Sequence, residues 1–133
     1  MKMRKRAPLA LAALAALGPG GMALADQHGN GYVHSREFRG QVYVMYQTHM
    51  SLYTYDKDPV GESTCYGECA ETWIPATLES GVELGKSYSL IKRRDGSYQA
   101  AFRGKPLYLY SGDKRIGDIN GDGIGGVWRL AKP

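Results

Sequence analysis

Leu-Tyr-Thr-Tyr-Asp-Lys-Asp at residues 52–58 and Leu-Tyr-Leu-Tyr-Ser-Gly-Asp at residues 107–113 are the two stretches that decide the fold. They lie 55 residues apart, and the same offset, without a gap, places Trp73 on Trp128. Because the chain contains only 2 tryptophans, chance is a poor explanation for this coincidence. We therefore predict a duplicated unit whose two copies share one core.

The tyrosines of each stretch alternate with other residues, which is the pattern of a β-strand, and the aspartate follows where the strand ends. One interpretation is a symmetric polar cleft in which these side chains grip a ligand. The other is structural, with buried rings and a carboxylate that caps a turn. We favour the structural role because duplicated scaffolds repeat their packing first. The repeat residues are Tyr53, Tyr55, Asp58 and Trp73, with Tyr108, Tyr110, Asp113 and Trp128.

Alternating apolar residues and Gly-containing turns predict further strands on both sides of these stretches. We expect strands at about 41–46, 52–56, 88–92, 98–102, 107–110 and 126–131, and a helical turn at 68–72. The predicted fold class is mainly β with one or two short helical turns. The duplicated β-hairpin or meander unit would form one antiparallel sheet, or a partly open barrel, with pseudo-twofold symmetry.

The first 25 residues have the features of a cleaved signal peptide. Four basic residues precede an apolar stretch at 7–17, a Gly/Pro break follows, and Ala23-Leu24-Ala25 fits a cleavage site. The stretch is too short to span a bilayer as a helix. We expect export by a Sec-type signal to the periplasm or the medium, with neither a membrane span nor a lipid anchor after cleavage.

The remaining chain divides into a polar N-terminal arm and one domain. We assign residues 26–40 to the arm and 41–133 to the domain, which consists of repeats at about 41–78 and 88–133. With about a hundred residues, the domain can bury one core. We expect it to be a monomer.

Removal of the leader also removes the net positive charge. All 13 acidic residues lie after Ala25 and four of the 17 basic residues lie before it, so thirteen of each sign remain. The basic run Lys92-Arg93-Arg94 precedes Asp95-Gly96, and this pattern predicts an exposed hairpin tip. A nucleic-acid ligand is disfavoured because no larger basic patch is present.

Cys65 and Cys69 are the 2 cysteines of the chain, and their spacing permits a disulfide across a tight loop. An oxidising compartment favours that pairing. The alternative is a thiolate metal or thiol-redox site. Met45, His49 and Met50 lie upstream and would supply further soft ligands for Cu(I). We prefer the disulfide and keep the periplasmic copper or redox protein as the second hypothesis.

Asp118, Asn120 and Asp122, followed by Gly123, match the first half of a calcium-binding loop. Position 12 of that loop would be Arg129 rather than the bidentate glutamate, so the loop is incomplete. The alternative is a Gly-rich turn with positive φ angles. We prefer the turn, with weak Ca²⁺ binding as the alternative.

The sequence contains none of the common catalytic motifs. It has no Gly-x-Ser-x-Gly elbow, no His-Glu-x-x-His and no phosphate-binding loop. The 3 histidines, His28, His34 and His49, are not paired in sequence with a nucleophile. We predict no catalytic residue and no enzymatic activity.

The motifs together resemble a bacterial family of exported proteins. They are the two Tyr-x-Tyr-x-x-Asp stretches, Cys-Tyr-Gly-Glu-Cys-Ala-Glu-Thr-Trp at 65–73, and Gly-Asp-Ile-Asn-Gly-Asp-Gly-Ile-Gly-Gly-Val-Trp at 117–128. That family is the secreted repeat of unknown function, also described as lipoproteins with a Tyr-x-(Phe/Trp/Tyr)-x-x-Asp motif. The resemblance implies a small, exported, duplicated domain and no particular reaction. This sequence has no lipobox cysteine near the cleavage site. We predict a non-catalytic binding or structural module of the envelope or medium.

Overall fold

The computed structural model describes residues 30–133. The predicted leader and residues 26–29 of the predicted arm lie outside the described residues. The described part is mainly β with one short α-helix and one 3-10 turn, so the predicted fold class is confirmed. No helix in this part is long and apolar enough to cross a bilayer.

Residues 30–133 contain ten strands, one α-helix and one 3-10 turn. They are β1 (Val33–Phe38), β2 (Gln41–Tyr46), β3 (Tyr53–Tyr55), α1 (Glu68–Thr72), β4 (Trp73–Pro75), β5 (Thr77–Leu78), β6 (Tyr88–Lys92), β7 (Tyr98–Phe102), β8 (Lys105–Pro106), β9 (Tyr108–Tyr110), a 3-10 turn (Ile124–Gly126) and β10 (Trp128–Leu130).

The segment predicted as a polar arm contains a strand of the domain, so that prediction is wrong from residue 33 onward. Strand β1 pairs with β2 along six residues, from Val33 opposite Tyr46 to Phe38 opposite Gln41. Arg39 and Gly40 both have positive φ angles, of 54° and 82°, as a two-residue hairpin turn requires. The first repeat therefore begins at β1, 55 residues before β6.

In the described part of the chain the strands form three antiparallel sheets, which are not closed into a barrel. One sheet is the β1–β2 hairpin, and the central sheet has the order β10-β3-β9-β4. The third has the order β5-β7-β6, with β8 added to β7. We predicted one sheet or a partly open barrel. Each strand of the central sheet is only three residues long, and single backbone hydrogen bonds such as that from Val44 N to Ala131 O link its ends to the outer strands.

The central sheet is made by exchange between the repeats. Strand β10 of the second repeat pairs with β3 of the first, and β4 of the first pairs with β9 of the second. Tyr53 and Tyr108 pair with each other where β3 meets β9. The pairing of Trp128 with Tyr55 on one side is equivalent to that of Trp73 with Tyr110 on the other. The predicted pseudo-twofold relation is therefore present in the hydrogen-bonded register.

Two hydrophobic clusters lie on the two faces of the β1–β2 hairpin. Val33 and Val44 belong to an aliphatic cluster, whereas Tyr43 and Met45 belong to a cluster that contains both tryptophans. Because successive strand residues point to opposite faces, the alternation of Tyr43, Val44 and Met45 assigns each to its cluster. All three are at most 2% exposed, so this hairpin is an integral part of the core.

Candidate functional site

The repeated tyrosines and aspartates form two reciprocal hydrogen bonds between the repeats. The phenol of Tyr53 donates to Asp113 Oδ2 at 2.7 Å, and the phenol of Tyr108 donates to Asp58 Oδ2 at 2.6 Å. Each tyrosine is fully buried, and the two carboxylates are 3% and 8% exposed. The tyrosine and aspartate of one copy are thus paired with those of the other copy.

The second oxygen of each carboxylate holds the loop that follows it in sequence. Asp58 Oδ1 accepts the Thr64 backbone N–H at 2.8 Å and the Thr64 hydroxyl at 2.7 Å. Asp113 Oδ1 accepts the Asn120 backbone N–H at 2.9 Å. Both oxygens of both aspartates are therefore occupied within the protein. This arrangement corresponds to the structural role rather than to an open ligand cleft.

The buried phenols remain protonated under all ordinary conditions. Burial raises the pKa of Tyr53, and its bond to the Asp113 carboxylate raises it further. Burial and the bond to Asp58 raise the pKa of Tyr108 in the same way. A phenol with a raised pKa serves as a hydrogen-bond donor and is a poor general base near neutral pH.

The tryptophans complete the exchange by stacking at the centre of the molecule. Trp73 and Trp128 lie face to face with centroids 3.9 Å apart and an angle of 3° between their planes. Tyr110 stacks on Trp73 at 4.5 Å and Tyr55 stacks on Trp128 at 4.2 Å. The two indoles therefore have equivalent surroundings. Their contacts are those of core residues, since each is only 5% exposed.

The two halves differ at the partner that approaches each phenol from the other side. Tyr53 accepts the Gly121 backbone N–H at 3.2 Å, whereas Tyr108 lies 2.6 Å from the Ser63 hydroxyl. Arg93 in turn donates to Ser63 Oγ at 2.8 Å. A chain of hydrogen bonds therefore links the Arg93 guanidinium through Ser63 and Tyr108 to Asp58.

Arg93 corrects the prediction of an exposed basic hairpin tip. Lys92 and Arg94 are exposed, but Arg93 is only 5% exposed and also donates to Gln99 Oε1 at 2.8 Å and to the Cys65 carbonyl at 2.9 Å. The sequence did not predict the burial of Arg93, because a run of three basic residues does not show which side chain points inward. The only sequence signal for this burial was a charged residue close to the Asp-Gly turn.

Cys65 and Cys69 form a disulfide at the start of α1, with 5.3 Å between their Cα atoms. Cys65 is fully buried, and its carbonyl accepts the bond from Arg93. The bridge thus lies next to the network that holds Asp58. Nothing in this arrangement favours the thiol-redox or thiolate-copper hypothesis for the pair.

The predicted calcium-loop residues face different backbone partners. Asp118 Oδ2 accepts the N–H groups of Lys114 and Arg115 at 2.8 and 3.0 Å, and these bonds hold its pKa below its usual value. Asp122 Oδ1 accepts the Leu130 N–H at 2.9 Å.

The third residue of that loop, Asn120, supplies the N–H that Asp113 accepts. Among residues 30–133 no three His, Cys, Asp or Glu side chains converge on a possible metal position. Weak Ca²⁺ binding stays a prediction.

The soft side chains that the sequence grouped with the cysteines lie on or beside the first hairpin. Met45 is buried on β2, Met50 is half-buried, and His49 is exposed in the turn that leads to β3. His49 lies against His34, the histidine of β1, which the sequence did not connect with it.

Comparison with known families adds one finding. A family model described as a secreted repeat of unknown function matches the chain twice, over residues 40–77 and 89–132. The two matches fall on the two repeats that exchange strands. No curated protein and no solved structure matches the chain.

Proposed function

Since the chain belongs to the family of secreted repeats of unknown function, we propose that its domain is an exported, non-catalytic module that acts by binding or by structural support. The finer location that we propose is the periplasm or the surrounding medium, reached through a Sec-type signal. The module would act as a monomer and without nucleic acid.

One observation supports the non-catalytic part of this proposal. The side chains that the two repeats share, and that could do acid–base chemistry, are hydrogen-bonded to each other across the pseudo-twofold axis. A catalytic acid or base must exchange a proton with the substrate, so it needs a free hydrogen-bonding position and access to the substrate. The repeated Tyr–Asp pairs have neither feature, because each donor and each acceptor is already used inside the core.

The exchange of strands further suits a module that keeps its shape. In the central sheet, β10 of the second repeat pairs with the tyrosine strand β3 of the first, and β4 of the first pairs with the tyrosine strand β9 of the second. Neither repeat can therefore separate without breaking the sheet, the crossed hydrogen bonds and the indole stack together. A frame of this kind leaves the exposed loops free to carry the contacts with a partner.

The test combines stability with activity. Asp58→Asn and Asp113→Asn each place an amide N–H₂ against a donor, and we expect each to cost about 2–3 kcal/mol, or a fall in Tm of roughly 10–20 °C. Asp56→Asn is the matched control because Asp56 is exposed and its surface ion pair with Arg129 contributes at most about 1 kcal/mol.

Chromogenic ester, phosphate and glycoside substrates should show no hydrolysis by the wild type above the level of these variants. Hydrolysis that Asp58→Asn abolishes without a change in Tm would overturn the proposal.

A further inference from the structure

The first hairpin carries an unusual set of unpartnered polar atoms. Among residues 30–133, the buried side-chain nitrogen and oxygen atoms without a hydrogen-bond partner are His34 Nδ1, Gln41 Oε1 and Tyr43 Oη. His34 lies opposite Met45 in the register, Arg36 opposite Tyr43 and Phe38 opposite Gln41. Directly opposite residues point to the same face of a sheet, so all three atoms lie on one face of β1–β2.

Buried polar atoms in native proteins are almost always paired with protein groups, ordered water or a ligand, so His34 Nδ1 is free to accept one of these partners. His34 is the member of the set that can coordinate a metal. Its Cβ lies about 4.5–5.5 Å from that of Met45, as for any directly opposite pair in an antiparallel ladder. The thioether of Met45 is therefore within reach of the imidazole.

A second imidazole lies beside the first. The rings of His34 and His49 have centroids 5.5 Å apart and an angle of 70° between their planes. For metal–nitrogen bonds of about 2.0 Å, two imidazoles on one three-coordinate ion would have centroids about 5.4 Å apart. The separation in the protein matches that value.

The backbone of His49 is held in a conformation that side chains rarely adopt. Its φ angle is +69°, whereas the other two non-glycine residues with positive φ among residues 30–133, Arg39 and Arg103, precede glycines in two-residue turns. An unusual backbone of this kind is a frequent feature of ligand sites. His49 is exposed and lines a surface hollow together with Met45, which provides an entry path.

We propose that His34, His49 and Met45 form a binding site for Cu(I). Two imidazoles and one thioether are a donor set suited to a soft, monovalent ion of low coordination number. The cationic side chain of Arg36 lies along the same face, and a monovalent ion tolerates it better than a dication does.

This site is separate from the features used above. It contains neither the disulfide nor the repeated tyrosines and aspartates, and the equivalent hairpin of the second repeat begins Tyr88-Ser89, with no histidine. The copper site therefore belongs to the first repeat alone. Its failure would leave the proposed non-catalytic frame untouched, because the Asp58 and Asp113 variants test that frame independently.

The experiment titrates Cu(I), kept reduced with ascorbate under nitrogen, against a chromogenic Cu(I) chelator. Ascorbate leaves the disulfide intact. All proteins carry His28→Ala, so that His34 and His49 are the remaining imidazoles. We expect one Cu(I) per chain, and a loss of affinity of about tenfold or more in His49→Ala and in Met45→Leu.

Met50→Leu is the matched control, because Met50 lies in the same turn and is half-buried. It should retain the copper, and a Tm measurement of each variant shows that it is folded. A chain that takes no Cu(I) from the chelator, or folded His49→Ala and Met45→Leu proteins that keep the affinity, would overturn the proposal. Equal affinity for Zn²⁺, titrated separately against a chromogenic Zn²⁺ chelator, would also overturn it, since the site would then not be selective for a soft monovalent ion.

Discussion

Removal of one buried hydroxyl, in Tyr53→Phe, tests the crossed hydrogen bonds most directly. The variant keeps the ring and its packing but deletes the donor to Asp113 Oδ2 and the acceptor of the Gly121 N–H. A hydrogen bond to a charged group contributes about 1.5–3 kcal/mol, and a buried N–H left without a partner costs about 1–3 kcal/mol. Because the loop can partly relax, we expect a total of about 3 kcal/mol.

For a domain of this size that loss corresponds to a fall in Tm of roughly 12–24 °C. Urea unfolding followed by tryptophan fluorescence measures it, with the indole stack as the natural reporter. Tyr55→Phe is the matched control, since its ring stacks on Trp128 and its hydroxyl makes no hydrogen bond among residues 30–133. A Tyr53→Phe protein within about 1 kcal/mol of the wild type would refute the argument that these bonds hold the repeats together.

Three further changes test other parts of the structure. Gly117→Ala should destabilise the domain by about 1–3 kcal/mol in urea unfolding, because a Cβ there would clash with the ring of Phe38. Gly96→Ala has a similar φ and open space, and it should cost less. Arg129→Gln should raise the pKa of Asp56 towards its ordinary value of 3.8 in an NMR titration, since their hydrogen bond is the main cause of its low pKa. The small stabilisation from this pair is present above pH 3.8 and lost as the pH falls through the folded pKa, so an unchanged Asp56 pKa would contradict the assignment. His34 has a folded pKa below 6.5, so the unfolded chain binds a proton first and the wild type should lose stability from pH 7 to pH 5.5. His34→Gln should show a flatter profile in the same urea titrations, and a slope equal to that of the wild type would contradict the lowered pKa.

The strand positions and the duplication were predictable because both are properties of short stretches of sequence. A period of two reports which residues share a face, and a constant offset reports which residues are equivalent. Strands β6 and β7 therefore have the predicted bounds. Strand β1 was missed because its alternation contains polar and charged residues, although the Arg39-Gly40 turn was a usable signal.

The residues of the candidate site were predictable in kind but not in their pairing. The sequence alone established that Tyr53 corresponds to Tyr108 and Asp58 to Asp113, and it favoured their structural role. Equivalence in sequence does not say whether a tyrosine binds the aspartate of its own copy or that of the other. The tertiary structure shows that each tyrosine binds the aspartate of the other copy.

The sequence by itself thus determined the local and the repeated features of the protein. These are the strand pattern, the duplicated unit and the cysteine pair that can form a bridge. Only the tertiary structure decided the exchange of strands, the burial of Arg93 and the meeting of His34 with His49. The physical reason is that propensity and periodicity act over a few residues. Contacts across the pseudo-twofold axis depend on how the whole chain closes around one shared core.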